Sequence, residues 1–140
     1  MKKIYIFIFL LLAGLVKLSA QATTANITVT IEGMKSDKGM VYVALYDTEE
    51  SFLKKQMKGA IVKIVDKKST VVFKDIKRGV YAISVFHDAN NNKKMDTNFL
   101  GIPKEPIGCS NEATGFMGPP KFKNAKFSLS KDLIVPVKVQ

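Results

Sequence analysis

Asp75-Ile-Lys-Arg-Gly79-Val-Tyr-Ala-Ile-Ser-Val-Phe-His-Asp88 is the stretch on which the fold turns. Tyr81, Ile83 and Val85 alternate with Ala82, Ser84 and Phe86, the period of two that marks a β-strand. A glycine two residues before a tyrosine at the strand entry resembles the corner of Greek-key sandwiches, where the phenol bonds back to the turn backbone. The same period runs outward on both sides. Ile27, Val29 and Ile31 alternate with Thr28 and Thr30 until Gly33 ends the run. Val41, Val43 and Leu45 alternate with Tyr42, Ala44 and Tyr46, which predicts a strand covered on both faces. Val62 and Ile64 precede an Asp66-Lys-Lys-Ser69 turn, and Val71 to Phe73 follow it. Ala125, Phe127 and Leu129, then Leu133, Val135 and Val137, close the chain. Pro136 cannot donate to a ladder, so the last strand is expected at an edge. About seven short strands separated by turns predict an all-β protein, an antiparallel Ig-like or prealbumin-like Greek-key β-sandwich.

One short helix is expected between strands. Asp47-Thr-Glu-Glu50 has the form of a capping box, Phe52, Leu53, Gln56 and Met57 make an apolar-leaning face, and Gly59 stands at the C-cap position.

Residues 1–22 read as a cleaved secretory signal peptide. Lys2 and Lys3 precede an unbroken apolar run of 13 residues, Ile4 to Val16, and Leu18-Ser-Ala-Gln-Ala22 supplies small residues for cleavage after Ala20 or Ala22. A bilayer span needs about 20 apolar residues, so no transmembrane anchor is expected after cleavage. The remainder, 23–140, is one domain's length. The expected location is therefore periplasmic or extracellular. The full chain carries +10, and loss of residues 1–20 removes three lysines and no acid, leaving +7. Arg78 is the only arginine. Nucleic-acid readers favour arginine and aromatic platforms, so scattered lysine in an exported chain argues for a solvated surface and no nucleic-acid partner. Cys109 stands alone and His87 is the only histidine, which excludes a disulfide scaffold and a multi-zinc module.

Residues 88–121 break the strand pattern with four glycines and four prolines. Phe99, Leu100, Ile102, Ile107, Phe116 and Met117 argue against disorder, so a long ordered loop is predicted, and it is where binding is expected. It opens with Asp88-Ala-Asn90-Asn-Asn92-Lys-Lys94-Met-Asp96. Oxygen side chains recur at relative positions 1, 3, 5 and 9, and the Lys94 carbonyl falls at position 7. A hard cation with six to eight oxygen ligands wants this spacing, so Asp88, Asn90, Asn92, Lys94 and Asp96 are candidate calcium ligands, with Glu105 more distant. Position 6 is Lys93 where a glycine normally bends the loop, and position 12 is Phe99 where a bidentate Glu would sit. The alternative is an Asx-rich turn whose side chains bond their own backbone and hold no metal. No G-x-S-x-G or cysteine-protease signature surrounds Ser110 or Cys109.

The run Gly79-Val-Tyr81-Ala82, Phe86-His-Asp88-Ala-Asn90-Asn-Asn92 to Asp96, Leu100-Gly-Ile-Pro103-Lys-Glu105 and Gly108-Cys-Ser110-Asn111 resembles an exported bacterial domain-of-unknown-function family, number two-one-four-one. A looser likeness is to the calcium-loop sandwich repeats of bacterial surface adhesins. The family resemblance implies a signal peptide and a small sandwich, with no established activity. Lys93 and Cys109 depart from the family pattern, which has glycine and an aromatic there. The expectation is an exported, non-enzymatic module with a weak calcium site and an envelope protein or glycan as partner. The rival is a small envelope enzyme or redox protein using His87, Asp88 and Cys109.

Overall fold

A computed structural model describes residues 23–140; the expected signal peptide lies outside the described residues. Eight strands form two layers. β1 (Thr24–Glu32), β4 (Lys68–Lys77) and β8 (Leu133–Lys138) make one sheet in the order β4-β1-β8. β2 (Met40–Tyr46), β3 (Lys58–Val62), β5 (Gly79–Asp88) and β6 (Ile107–Cys109) make the other in the order β3-β2-β5-β6, with β7 (Phe127–Leu129) also paired to β5. After the β2–β3 hairpin, β4 returns to lie beside β1, as Greek-key connectivity requires.

The alternating residues build the core between the layers. Ile27, Val29 and Ile31 of β1 and Val71 and Phe73 of β4 face Val41, Val43 and Leu45 of β2 and Tyr81, Ile83 and Val85 of β5, all buried. Burying each such side chain contributes about 1.5–3 kcal/mol, so this interior is the main stabilising element. The expected corner is present. Tyr81 Oη donates to the Lys77 carbonyl at 2.7 Å, tying the β4–β5 turn to the strand it feeds. Burial, and secondarily Asp47, push the Tyr81 phenol above its usual range. Two positive-φ residues, Asp66 and Lys67, make the predicted turn, and their amides donate to the Asp37 carboxylate at 3.1 and 2.7 Å.

β2 is covered on both faces as expected, and most of β5 is too. On the outer face Tyr42 stacks on Phe86 with ring centroids 4.7 Å apart. Next to this pair, Tyr46, Phe52, Ala82, Cys109 and Ala125 form a second, smaller core.

Three expectations are corrected. The helix after Asp47 does not form. Residues 49–54 are turns, with Thr48 rather than Asp47 capping Ser51 and Leu53 at φ +59. The reason is tertiary: β3 must return beside β2, with Met57 N–H on the Leu45 carbonyl at 2.8 Å, and Gly59 lies within β3. A three-turn helix would carry the chain about 16 Å onward. The left-handed Leu53 instead lets Phe52 fold onto Tyr46 and Phe122. The described helix is a four-residue turn elsewhere, α1 (Phe122–Ala125). Second, pairing is not wholly antiparallel, because β8 runs parallel to β1. β8 is the outer strand of its sheet, so Pro136 does occupy an edge. Third, the 88–121 segment is not one loop. β6 and a 3-10 turn at Ser110–Glu112 divide it.

Candidate functional site

β5 ends at Asp88, which is fully buried, and the chain there folds into a knot of side-chain hydrogen bonds. Asp88 Oδ1 accepts the Asn92 amide N–H at 3.1 Å and Oδ2 accepts that of Lys93 at 2.8 Å. Asn90 Oδ1 takes the Asn92 N–H at 3.1 Å, and Asn92 Oδ1 takes the Lys94 N–H at 2.9 Å. The two side-chain amides then donate to one carboxylate, Asn90 Nδ2 to Asp96 Oδ2 at 2.6 Å and Asn92 Nδ2 to Asp96 Oδ1 at 2.9 Å. The structure thus gathers Asp88, Asn90, Asn92 and Asp96 as their spacing predicts. The oxygens a cation would use here are occupied by the turn's own donors. Lys93 takes φ +66, the left-handed bend for which glycine was expected.

Beyond the knot, Asp96 N–H donates to Glu105 Oε2 at 3.1 Å and the Lys104 N–H to the Asp96 carbonyl at 2.8 Å. Thr97 and Pro103 form an isolated bridge. Asn98 closes the tip, its Oδ1 accepting the Leu100 and Ile102 amides at 2.9 and 3.0 Å, with Gly101 at φ +76. This ordered turn holds Phe99, Leu100 and Ile102 out in solvent, at 95%, 68% and 55% exposure. The sequence flagged these residues as apolar loop positions but gave no sign of the Asn98 cap.

The residues of the rival reading stand on different faces of the sheet. Cys109 pairs with Ser84, on the outer face of β5, whereas His87 alternates onto the inner face with Ile83 and Val85. Burial pushes the Cys109 thiol up to about 11, which leaves little thiolate near neutral pH. Ser110 is a structural staple. It is fully buried, its Oγ accepts the Ile83 N–H at 2.9 Å, and the hydroxyl lies 2.6 Å from the Ala125 carbonyl. Asn111 Nδ2 reaches the carbonyls of Asn124 and Lys126 at 3.3 and 2.8 Å. Gly108 allows a close approach, since a Cβ there would collide with the Lys138 carbonyl oxygen.

His87 and Glu105 meet at a different place. The His87 N–H donates to the Pro106 carbonyl at 2.9 Å, bringing the 103–106 segment across the end of β5. A cleft of about 370 Å³ opens there, lined in part by Lys35, Ser36, His87, Lys104 and Glu105. His87 Nε2 lies 2.7 Å from the Lys38 carbonyl oxygen.

A small two-layer β-sandwich with an Asx-knotted loop after its corner strand is the class these features define. The family described as an uncharacterized protein conserved in bacteria (DUF2141) matches residues 29–135, and the chain belongs to it. No curated protein and no solved structure matches the chain.

Proposed function

We propose that this protein is an exported, non-enzymatic module of the cell envelope that binds an envelope protein or glycan through the 89–106 loop. The observation that carries this reading is the tip, closed by its own hydrogen bonds. Monomeric proteins rarely hold large apolar side chains together in water without a use for them. Here Phe99, Leu100 and Ile102 are held out by a turn whose backbone is tied down at Asn98. Calcium, in this proposal, binds the Asp88, Asn90, Asn92 and Asp96 oxygens and the Lys94 carbonyl. What supports it is the gathering of those side chains in one knot; calcium would displace the two amide donors from Asp96. With two carboxylates and two adjacent lysines the affinity falls in the weak range of about 10⁻⁴–10⁻³ M. The Leu18–Ala22 cleavage pattern supports export.

The test is retention on washed envelope fractions from a bacterial host, for wild type and for a Phe99→Ser/Leu100→Ser variant. Wild type should sediment with the fraction and the variant should stay in the supernatant with an unchanged unfolding temperature. Equal retention of the two would remove the loop from the binding role. Unfolding in EDTA and in about 10 mM calcium, above the weak-site range, tests the ion separately. A rise of several degrees that Asp96→Ala abolishes supports it, and an unchanged transition leaves the Asx turn alone.

A further inference from the structure

Between Glu112 and Asp132 the chain carries four lysines and no acid. Phe116 and Met117 stand side by side within that stretch, at 93% and 94% exposure. The ends of the segment that holds them are tied together. Ser110 Oγ lies 2.6 Å from the Ala125 carbonyl oxygen, and Asn111 Nδ2 donates to the Asn124 and Lys126 carbonyls. The tip itself is a tight turn: a Cβ on Gly115 would collide with the Gly118 carbonyl, and Met117 takes φ +53. The segment buries apolar groups where a core is at hand, since Phe122 packs on Phe52 and Ala125 is fully buried. Phe116 and Met117 are held in solvent instead, and Lys121, Lys123 and Lys126, all exposed, follow them.

We infer that the 113–126 segment is a contact for an anionic lipid surface, with Phe116 and Met117 as an apolar wedge and the three lysines as its headgroup contacts. A bilayer interface takes up an apolar tip with cations near its base. The apolar side chains enter the boundary between headgroups and acyl chains, and the ammonium groups stay with the phosphates. A protein partner fits less well, because a specific interface buries about 800 Å² on each side and two side chains on one tight turn do not supply it. A neutral glycan gives the lysines no opposite charge. The wedge is distinct from the Phe99 tip, which follows the Asp88 end of β5. This segment is pinned halfway along that strand, where Ser110 Oγ accepts the Ile83 N–H. The inference therefore does not depend on what the Phe99 tip binds.

The test uses residues 23–140, which hold both sheets and the whole described core, so that the apolar run 4–16 takes no part. The probe is sucrose-loaded vesicles of phosphatidylglycerol and phosphatidylcholine, with vesicles of phosphatidylcholine alone as the comparison. At low salt the protein should sediment with the mixed vesicles and partition about tenfold or more weakly onto phosphatidylcholine. Phe116→Ser/Met117→Ser changes two solvent-exposed positions, so it should keep the wild-type unfolding temperature while losing about tenfold or more of the partitioning. Lys121→Gln/Lys123→Gln should lose about tenfold on the mixed vesicles only. The chain has no tryptophan, so Phe116→Trp places a single reporter at the tip, and its emission should shift to the blue when mixed vesicles are added. The proposal is overturned by no sedimentation at millimolar lipid, by equal binding of wild type and Phe116→Ser/Met117→Ser, or by a tryptophan emission that the vesicles leave unmoved. Loss of binding in Phe99→Ser/Leu100→Ser alone would overturn it too, by placing the contact at the other tip.

Discussion

Asp88→Asn asks the most of the loop for the smallest change in shape. Asp88 is fully buried and both its oxygens accept backbone N–H groups, from Asn92 and Lys93. Those bonds hold a turn in which Asn91 and Lys93 both sit at positive φ, a conformation that costs a residue with a side chain about 1–2 kcal/mol. The substitution preserves volume but removes the charge and turns one acceptor into an NH₂ donor facing an N–H. One hydrogen bond to a charged group, about 1.5–3 kcal/mol, is lost, and the surviving one is weakened. We expect a total cost of about 2–3 kcal/mol. At about 4 °C per kcal/mol for a chain of this length, the unfolding temperature falls by about 8–12 °C. Urea unfolding gives the free energy, and hydrogen exchange gives its location. The Asn92 and Lys93 amides should lose protection while β1 and β5 keep theirs at mild denaturant. A cost below about 0.5 kcal/mol with both amides still protected would refute the idea that the carboxylate holds the loop.

Lys93→Gly should act in the opposite direction. Glycine adopts φ +66 without strain, so the variant is expected to be level with wild type or up to about 1 kcal/mol more stable by urea unfolding, despite glycine's greater unfolded entropy. Tyr81→Phe removes the donor to Lys77 and should cost about 0.5–1.5 kcal/mol in the same assay, with loop exchange unaffected. The Cys109 thiol titrates from about 9 in the unfolded chain and about 11 in the folded one, so the folded state keeps its proton longer. Stability is therefore unchanged by this group below pH 9 and falls as pH rises from 9 to 11, by up to about 2–3 kcal/mol, and Cys109→Ala should flatten that fall in denaturation curves at stepped pH.

Much of the sandwich was legible because a strand with one buried face writes its period into the sequence. Ile27, Val29 and Ile31, and Tyr81, Ile83 and Val85, each alternate because each second residue enters the core. Gly79-Val-Tyr81 announced the corner, since the phenol reaches a carbonyl only four residues away. The Asx knot was legible for the same reason: every hydrogen bond from Asp88 to Lys94 spans at most five residues. Local spacing failed at Asp47–Gly59, where the cap and apolar face suited a helix but the β2–β3 ladder needed the chain to turn back. It failed again at Ile107–Cys109, whose three residues carry too little alternation to mark a strand.

The sequence by itself thus determined the longer strands, the corner, the edge position of Pro136 and the knot after β5, all of which rest on short-range periodicity or local reach. Only the tertiary structure decided which residues meet. Register places Cys109 opposite Ser84 and so on the other face from His87, separating two side chains that the sequence offered as a pair. The hydrogen bond from the His87 N–H to the Pro106 carbonyl instead brings Glu105 to the cleft that His87 lines, across the 17 residues between them. Strand register is fixed by which faces bury their apolar side chains against the opposite sheet. That choice is made by the whole core at once, and no short segment contains it.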